Sequence, residues 1–198
     1  MSPLTHLLAS WLVAAKTTNN PRDCRLATLA GLLPDADGLG LVVDVANDLL
    51  GRRPTHYYAQ FHHYWLHGIF GAALITLTLT LFAQQRGRVA LVALLLFHLH
   101  LLCDFVGSRG PSPEDLWPIF YFGPFEKDPM WVWRGQWRLD GWQNRLVFVL
   151  AFASALWVAV RDGRSVVGVF SRRADRAVVE VLRKWAAALG VRFRDDGG

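Results

Sequence analysis

The chain has 198 residues, 53% of them hydrophobic and nine of them tryptophan, with seven histidines, two cysteines and a formal net charge of +5. A mean hydropathy of +0.23 is high for a water-soluble domain. Cys24 and Cys103 lie far apart in apolar segments, which excludes a disulfide framework or a cysteine-type zinc finger, and strand-like alternation is nearly absent, which leaves an all-α class.

The first predicted element is an apolar helix over about 3–15, with His6 inside it and no basic residue before its hydrophobic run, so it reads as a structural helix and not a secretory signal. Asn19, Asn20 and Pro21 form a turn, with Pro21 set to begin a helix; the apolar stretch 24–33 follows, and Pro34 stops it. LLPDADG, 32–38, then places Asp35 and Asp37 at a helix C-terminal end, where the dipole disfavours negative charge and a metal ion would relieve the mismatch.

Three segments are apolar enough to enter a bilayer: 68–83, 89–106 and 146–160. The first and third fall short of the ~20 residues that cross a hydrocarbon core unaided, so either flanking aromatics extend them or they are buried helices of a compact bundle. Ahead of the first, FHHYWLHG (61–68) carries three histidines. His63 and His67 have the spacing of one helical face, whereas pairing His62 with His67 requires His62 to lie before the helix proper.

Within the second segment, FHLHLLCDFV (97–106) sets two histidines, a cysteine and an aspartate among leucines. Burying such groups unpaired costs several kcal/mol each, so they must be neutralised, mutually paired or bound to something. His100 and Asp104, four apart, stack on one helical face within reach of a single cation. Taken alone, a histidine bonded to an acid one turn on is equally the ordinary way to satisfy both in a core. His98 points about 160° away from His100 around an ideal helix and reads as core or supporting structure; His56, after Pro54, reads as a loop residue.

Residues 107–145 are rich in glycine, proline and tryptophan and predict an irregular folded loop. Its tryptophans, Trp117, Trp131, Trp133, Trp137 and Trp142, suit either a membrane interface or packing on the domain. SRRADRAVVEVLRKWAAALG (171–190) begins at a Ser171 cap, ends at Gly190 and shows a helical stripe of Val178, Val181, Leu182, Trp185 and Leu189. Arg161, Arg164, Arg172, Arg173, Arg176, Arg183, Lys184, Arg192 and Arg194 crowd this tail, which suits a helix lying on an anionic membrane or docked on its own domain. A nucleic-acid recognition motif is not apparent, so no nucleic-acid partner is expected.

The expectation is thus a membrane-associated all-α bundle over 1–160, with the Trp-rich loop inside it, and a basic amphipathic tail over 161–198. If the helices alternate direction, Lys16, Arg22, Arg25, Arg86, Arg88 and the tail share one side, which the positive-inside rule makes cytoplasmic, although Arg52 and Arg53 oppose it. His6, Asp35, Asp37, His62, His63, His67, His100 and Asp104 then converge on the other side. Imidazoles and carboxylates are ligands that zinc accepts, and this set suffices for two or three divalent ions.

The ordered series His6, LLPDAD, HHYWLH, HLLCD and LWP (116–118) resembles the bacterial membrane-bound metal-dependent hydrolase family and, more remotely, is similar to the zinc-dependent phospholipase C group of all-α phosphoesterases. The resemblance covers about residues 1–120. It implies a bacterial inner-membrane protein with ligands His6, Asp35, Asp37, His62, His67, His100 and Asp104, preferring His62 over His63. One departure is plain: where the family commonly reads His-Arg-Gly-x-Thr-His-Ser, this chain has His63, Tyr64, Trp65 and Leu66 between the two histidines and Gly68 after them. That arginine and serine are candidates for substrate contacts, so their absence implies either a different substrate or a divergent branch that binds metal without turnover.

The function expected is metal-assisted hydrolysis of a phosphoester, with a small or lipid substrate, on the non-cytoplasmic face. Asp35 or Asp37 is the expected general base, and Arg109, in GSRGP just past the HLLCD helix, the expected phosphate contact. Two other classes compete. A b-type haem protein would pair His62 or His67 with His98 or His100, and a non-catalytic membrane scaffold would use the same polar groups only to hold helices together.

Overall fold

The computed structural model describes residues 1–190; Arg192 and Arg194 lie outside the described residues. Among them the chain forms eight α-helices and two 3₁₀ helices: α1 (Pro3–Thr17), α2 (Pro21–Ala30), α3 (Gly40–Leu49), α4 (Tyr57–Phe61), α5 (Ile69–Leu81), α6 (Arg86–Gly107), α7 (Trp142–Asp162) and α8 (Arg172–Ala188), with 3₁₀ turns at Leu33–Leu39 and Val166–Val169.

Local chemistry sets the ends of these helices. Ser2, Asn20 and Ser171 cap α1, α2 and α8 through their side-chain oxygens, and proline opens both α1 and α2, where its missing N–H costs nothing. Helix α2 ends at Ala30, earlier than the apolar stretch suggests, and Pro34 sits inside the 3₁₀ turn that follows instead of stopping the helix. Helix α7 is longer than its apolar core because flanking residues from Trp142 to Asp162 join it, giving 21 residues. With the 22 residues of α6, it forms a pair of helices long and apolar enough to span a bilayer. Helix α5, at 13 residues, remains too short to do so alone.

Two apolar clusters hold the bundle together. One joins α1, α2, α6 and α7 through Leu8, Trp11, Ala14, Ala27, Val92, Leu96, Ala155 and Val158. The other joins α2, α5 and α6 through Ala30, Ala72, Ile75, Leu79, Ala93 and Phe97, and closes on Ile119 of the loop. The alanines at these contacts let helices approach closely, as membrane packing favours. The outward faces of α5, α6 and α7 present Leu74, Leu77, Leu91, Leu95, Leu102, Val149, Leu150 and Phe152, an exposed apolar surface suited to lipid.

The basic end is tied together by specific contacts. Lys16 meets Asp162 at 3.2 Å, Arg25 donates to the Gly168 carbonyl at 2.7 Å and Arg164 donates to the Ala15 carbonyl. The tail helix α8 docks on α7 and the second 3₁₀ turn, where Arg183 donates to the Val160 carbonyl and Asp175 accepts from Ser165. The expected stripe is not the buried face: Val181, Trp185 and Leu189 stay exposed and Val178 and Leu182 are half-buried, whereas Val179, outside the stripe, is buried.

Residues between α6 and α7 form the expected irregular loop, held by isolated bridges pairing Arg109 with Arg138 and Ile119 with Trp131. Two elements were not foreseen. Helix α3 buries none of its residues, leaving Leu41, Val42, Val43 and Val45 exposed, and α4 is a single short turn against it. Gly40 makes that contact possible, since a Cβ there would stand 2.8 Å from the Tyr57 backbone. Asp44 of α3 then accepts the Tyr57 and Tyr58 N–H groups, both at 2.9 Å, and fixes the start of α4.

Candidate metal centre

At the end of the bundle opposite the basic contacts, α1 contributes His6, the 3₁₀ turn contributes Asp35 and Asp37, the segment between α4 and α5 contributes His62, His63 and His67, and α6 contributes His100 and Asp104. His6, His67, His100 and Asp104 are at most 2% exposed. The helical register does bring His100 and Asp104 together, at 3.0 Å between Nε2 and Oδ2. From there Nε2 of His67 is 3.1 Å from Nε2 of His100 and 3.5 Å from Asp104 Oδ2. Asp35 Oδ1 lies 3.7 Å from His100 Nε2 and 3.9 Å from His67 Nε2.

These separations bear on what can sit between the atoms. Ligands about 2.0–2.1 Å from a tetrahedral zinc ion stand about 3.3–3.5 Å from one another, close to the spread seen here. The other ring nitrogens are already engaged: His100 Nδ1 donates to the Gly31 carbonyl at 3.0 Å, and His67 Nδ1 to Asp37 Oδ2 at 3.0 Å. That assignment leaves both Nε2 atoms as lone pairs facing each other and two carboxylates, an arrangement stable only with a cation among them. Burial alone would lower the His67 pKa. Hydrogen bonds to Asp104 and Asp37, with the charges of those carboxylates, instead raise it to about 9. In the absence of a metal, a proton meets the same demand.

Asp37 has a different surrounding from Asp35. Its carboxylate takes His62 Nδ1 at 2.9 Å, His67 Nδ1 at 3.0 Å and the Leu66 N–H at 3.1 Å. It is thus occupied in holding two imidazoles, where a ligand role had been expected of it. Asp35, by contrast, keeps a buried Oδ2 with no hydrogen-bond partner. His6 lies against Asp104 Oδ1 at 3.1 Å and stacks on His100 at a ring separation of 3.9 Å. The same Asp104 oxygen accepts from Ser108 Oγ at 3.1 Å and from the Met1 amino group.

The geometry brings both His62 and His63 to the site. Helix α4 ends at Phe61, so the one-face argument for His63 with His67 fails: the segment is not helical. His63 instead adopts a left-handed backbone at φ 66°, an unusual conformation for a non-glycine residue, which turns its ring into the site with Nε2 3.8 Å from Asp104 Oδ2. One nitrogen from each of His62, His63 and His67 falls within 4.8 Å of the others, a second group of possible ligands. Burial, with His67 adjacent, pushes the His63 pKa well below its ordinary value, so the ring stays neutral, the form that binds metal. His98 turns away and joins the Leu94 carbonyl to the Tyr121 hydroxyl.

A cavity of about 400 Å³ opens onto Asp35, His62, His63 and Asp104, and its walls include Leu39, Leu41, Val42, Trp117 and Leu139. Trp117 stands edge-on to both His62 and His63, with ring separations of 5.8 and 5.3 Å. It is fixed there by the buried Gln136, which exchanges two hydrogen bonds with its backbone at 3.0 and 2.8 Å. Tyr58 is the other aromatic at the mouth, and burial together with the charges of Asp35, Asp104 and Asp37 pushes its hydroxyl up to about 12. Sequence reasoning missed Tyr58 and Gln136; neither carries a motif, and both are placed by loop packing. Arg109 follows Ser108 directly, yet its side chain lines a separate, neighbouring cavity.

No curated protein and no solved structure matches the chain. The profile of the YdjM inner membrane proteins matches residues 1–176, through the whole bundle and into α8. The two helices α6 and α7, long and apolar enough to span a bilayer, and the apolar outer faces agree with that match: the chain belongs to the YdjM inner membrane protein family.

Proposed function

We propose that the protein is a membrane-bound, metal-dependent hydrolase acting on a phosphoester at the non-cytoplasmic end of its bundle. The observation that carries this reading is the convergence of His67 Nε2, His100 Nε2, Asp104 Oδ2 and Asp35 Oδ1, with the other nitrogen of each ring held by an acceptor. The resemblance to membrane-bound metal-dependent hydrolases and to zinc-dependent phospholipases supports it further.

His67, His100, Asp35 and Asp104 would hold the first divalent ion, zinc by its nitrogen and oxygen donors, with His6 beside them; His62 and His63 would contribute to a second. Such ions lower the pKa of a bound water and polarise a phosphoryl oxygen. Asp35, with an unpartnered oxygen at the cavity floor, is the group available to take a proton from the attacking water. Asp37 positions His62 and His67, as carboxylates behind metal-bound imidazoles do. The apolar walls of Leu39, Leu41, Val42 and Leu139 favour an amphiphilic substrate whose phosphoester reaches the polar floor while its chain stays in contact with those residues. The basic cluster at the opposite end supports a cytoplasmic position for that end and thus an outward-facing site.

The geometry favours the metal reading over the haem alternative. His67 and His100 meet Nε2 to Nε2 at 3.1 Å, too close to stand on opposite faces of a porphyrin, and His98 is engaged elsewhere. Elemental analysis of purified protein, beside His100→Ala and Asp35→Ala, tests the proposal together with hydrolysis of phosphomonoesters, phosphodiesters and phospholipids. Bound zinc or another divalent metal that falls in both variants, with loss of hydrolysis, is expected. Metal content equal to wild type in both variants overturns the site, and metal-free wild-type protein favours a scaffold.

A further inference from the structure

The cavity that receives Arg109 has a volume of about 620 Å³ and lies at the N-terminal end of α7, lined also by Gln136, Trp137, Arg138, Trp142 and Arg145. Its charge is unbalanced. Arg138 is tied to Asp140 by two contacts of 3.0 and 2.8 Å, whereas the guanidinium groups of Arg109 and Arg145 have no acidic partner among the described residues. Arg109 Nε is shielded from solvent and has no acceptor. Helix α7 opens at Gly141 without a side-chain cap, so the first-turn N–H groups add positive potential to the same space.

The position of this cavity relative to the spanning helices identifies the surroundings it would meet. Helix α6 ends at Gly107 and α7 begins at Trp142, so with both helices set across a bilayer the cavity would lie at the level where they leave the hydrocarbon. Trp142 is 70% exposed at its rim, a placement that suits the headgroup layer. Unpaired arginines at this level call for an anion, and a guanidinium fork matches phosphate oxygens in two-point geometry. The cavity of the metal centre lies across Ser108 and Leu139 and shares none of these arginines.

We propose that this cavity binds the phosphate of an anionic phospholipid, with Arg109 and Arg145 as its charged donors, at a site separate from the metal centre. The inference does not rest on hydrolysis: it holds whether or not the metal centre turns over a substrate. A bound anionic lipid would fix α7 and the Trp-rich loop against α6 and hold the end of the bundle at the headgroup level.

The test uses the full chain in detergent, with native mass spectrometry reading the binding of phosphatidylglycerol, phosphatidylcholine and inorganic phosphate. Wild-type protein is expected to bind phosphatidylglycerol at least tenfold more tightly than phosphatidylcholine. Arg145→Gln, at an exposed helical position, should reduce that preference several-fold, and Arg109→Gln with Arg145→Gln should abolish it. Arg52→Gln with Arg53→Gln, exposed and outside the cavity, should leave it intact. Equal binding of the two lipids by wild type overturns the proposal, as does an unchanged preference in Arg145→Gln and in the double variant. Binding of inorganic phosphate without selective binding of phosphatidylglycerol overturns the assignment to lipid. Helicity by circular dichroism confirms that each variant is folded, and Arg145→Gln alone decides the matter if the double variant is not.

Discussion

Nε2 of His67 and Nε2 of His100 stand 3.1 Å apart, and each ring spends its other nitrogen on an acceptor, Asp37 for His67 and the Gly31 carbonyl for His100. Two neutral imidazoles so arranged repel unless a proton or a metal ion lies between them. Removing a bound ion with a chelator should therefore lower the thermal midpoint, and readdition of zinc should restore it. The measurement is a thermal melt of purified protein in detergent before chelation, after it and after metal return. A midpoint indifferent to chelation and to added zinc would show that the pair is satisfied by a proton alone.

Asp35 and Asp37 are two residues apart yet differently engaged, which separates their expected phenotypes. Asp37→Asn should weaken metal affinity about 10- to 100-fold, the usual cost of losing a carboxylate behind a metal-bound histidine, while full occupancy returns at high zinc. Asp35→Asn should abolish hydrolysis even at saturating zinc. Competitive titration against a chelator gives the affinities, and phosphoester turnover at saturating metal gives the second comparison. Asp35→Asn retaining full turnover would remove Asp35 from the chemistry.

How far the sequence could be read follows from which signals are local. The apolar runs carry α6 and α7, and the four-residue spacing of His100 and Asp104 survives because that part of α6 is regular helix. The one-face argument for His63 with His67 failed because it assumed helical geometry for a segment that is bent, with His63 left-handed. Helix α3 escaped notice because it buries none of its residues, so no buried stripe distinguishes it from a loop. The separation of Arg109 from the metal centre is set by the bridge between Arg109 and Arg138, a long-range pairing that no local pattern announces.

Gly31 couples the bundle to the metal centre through its backbone alone. A Cβ at this position would collide with the Ser10 side chain, and Gly31 supplies the carbonyl that orients His100. Gly31→Ala should therefore displace α2 from α1 and release His100, costing about 1–3 kcal/mol from overpacking and lowering metal affinity at the same time. Paired with Ser10→Ala, which clears part of the space, the variant should recover some of both. Metal affinity and thermal midpoint measured across the four proteins check this, and normal affinity in Gly31→Ala would show that the carbonyl contact is dispensable.

Asp23 tests whether the two ends of the bundle can be perturbed separately. Its carboxylate accepts the N–H groups of Gln84 and Gln85 at 2.9 Å each and the Asn20 side-chain amide at 2.9 Å, so it ties α2 to the turn that opens α6, at the basic end of the molecule. Helix α6 has no side-chain cap from Gln85, and Asp23 instead anchors, from another helix, the two residues just before α6. Asp23→Ala leaves two N–H groups without their charged acceptor and should cost about 2–4 kcal/mol, read as a lower midpoint in thermal or denaturant unfolding. Asp23→Asn, which keeps one carbonyl acceptor, should cost less. Because the proposed metal ligands lie at the far end of α6, metal bound per folded molecule should match wild type in both variants. A fall in metal content without loss of stability would contradict this anchoring role and indicate that the start of α6 governs the position of His100 and Asp104.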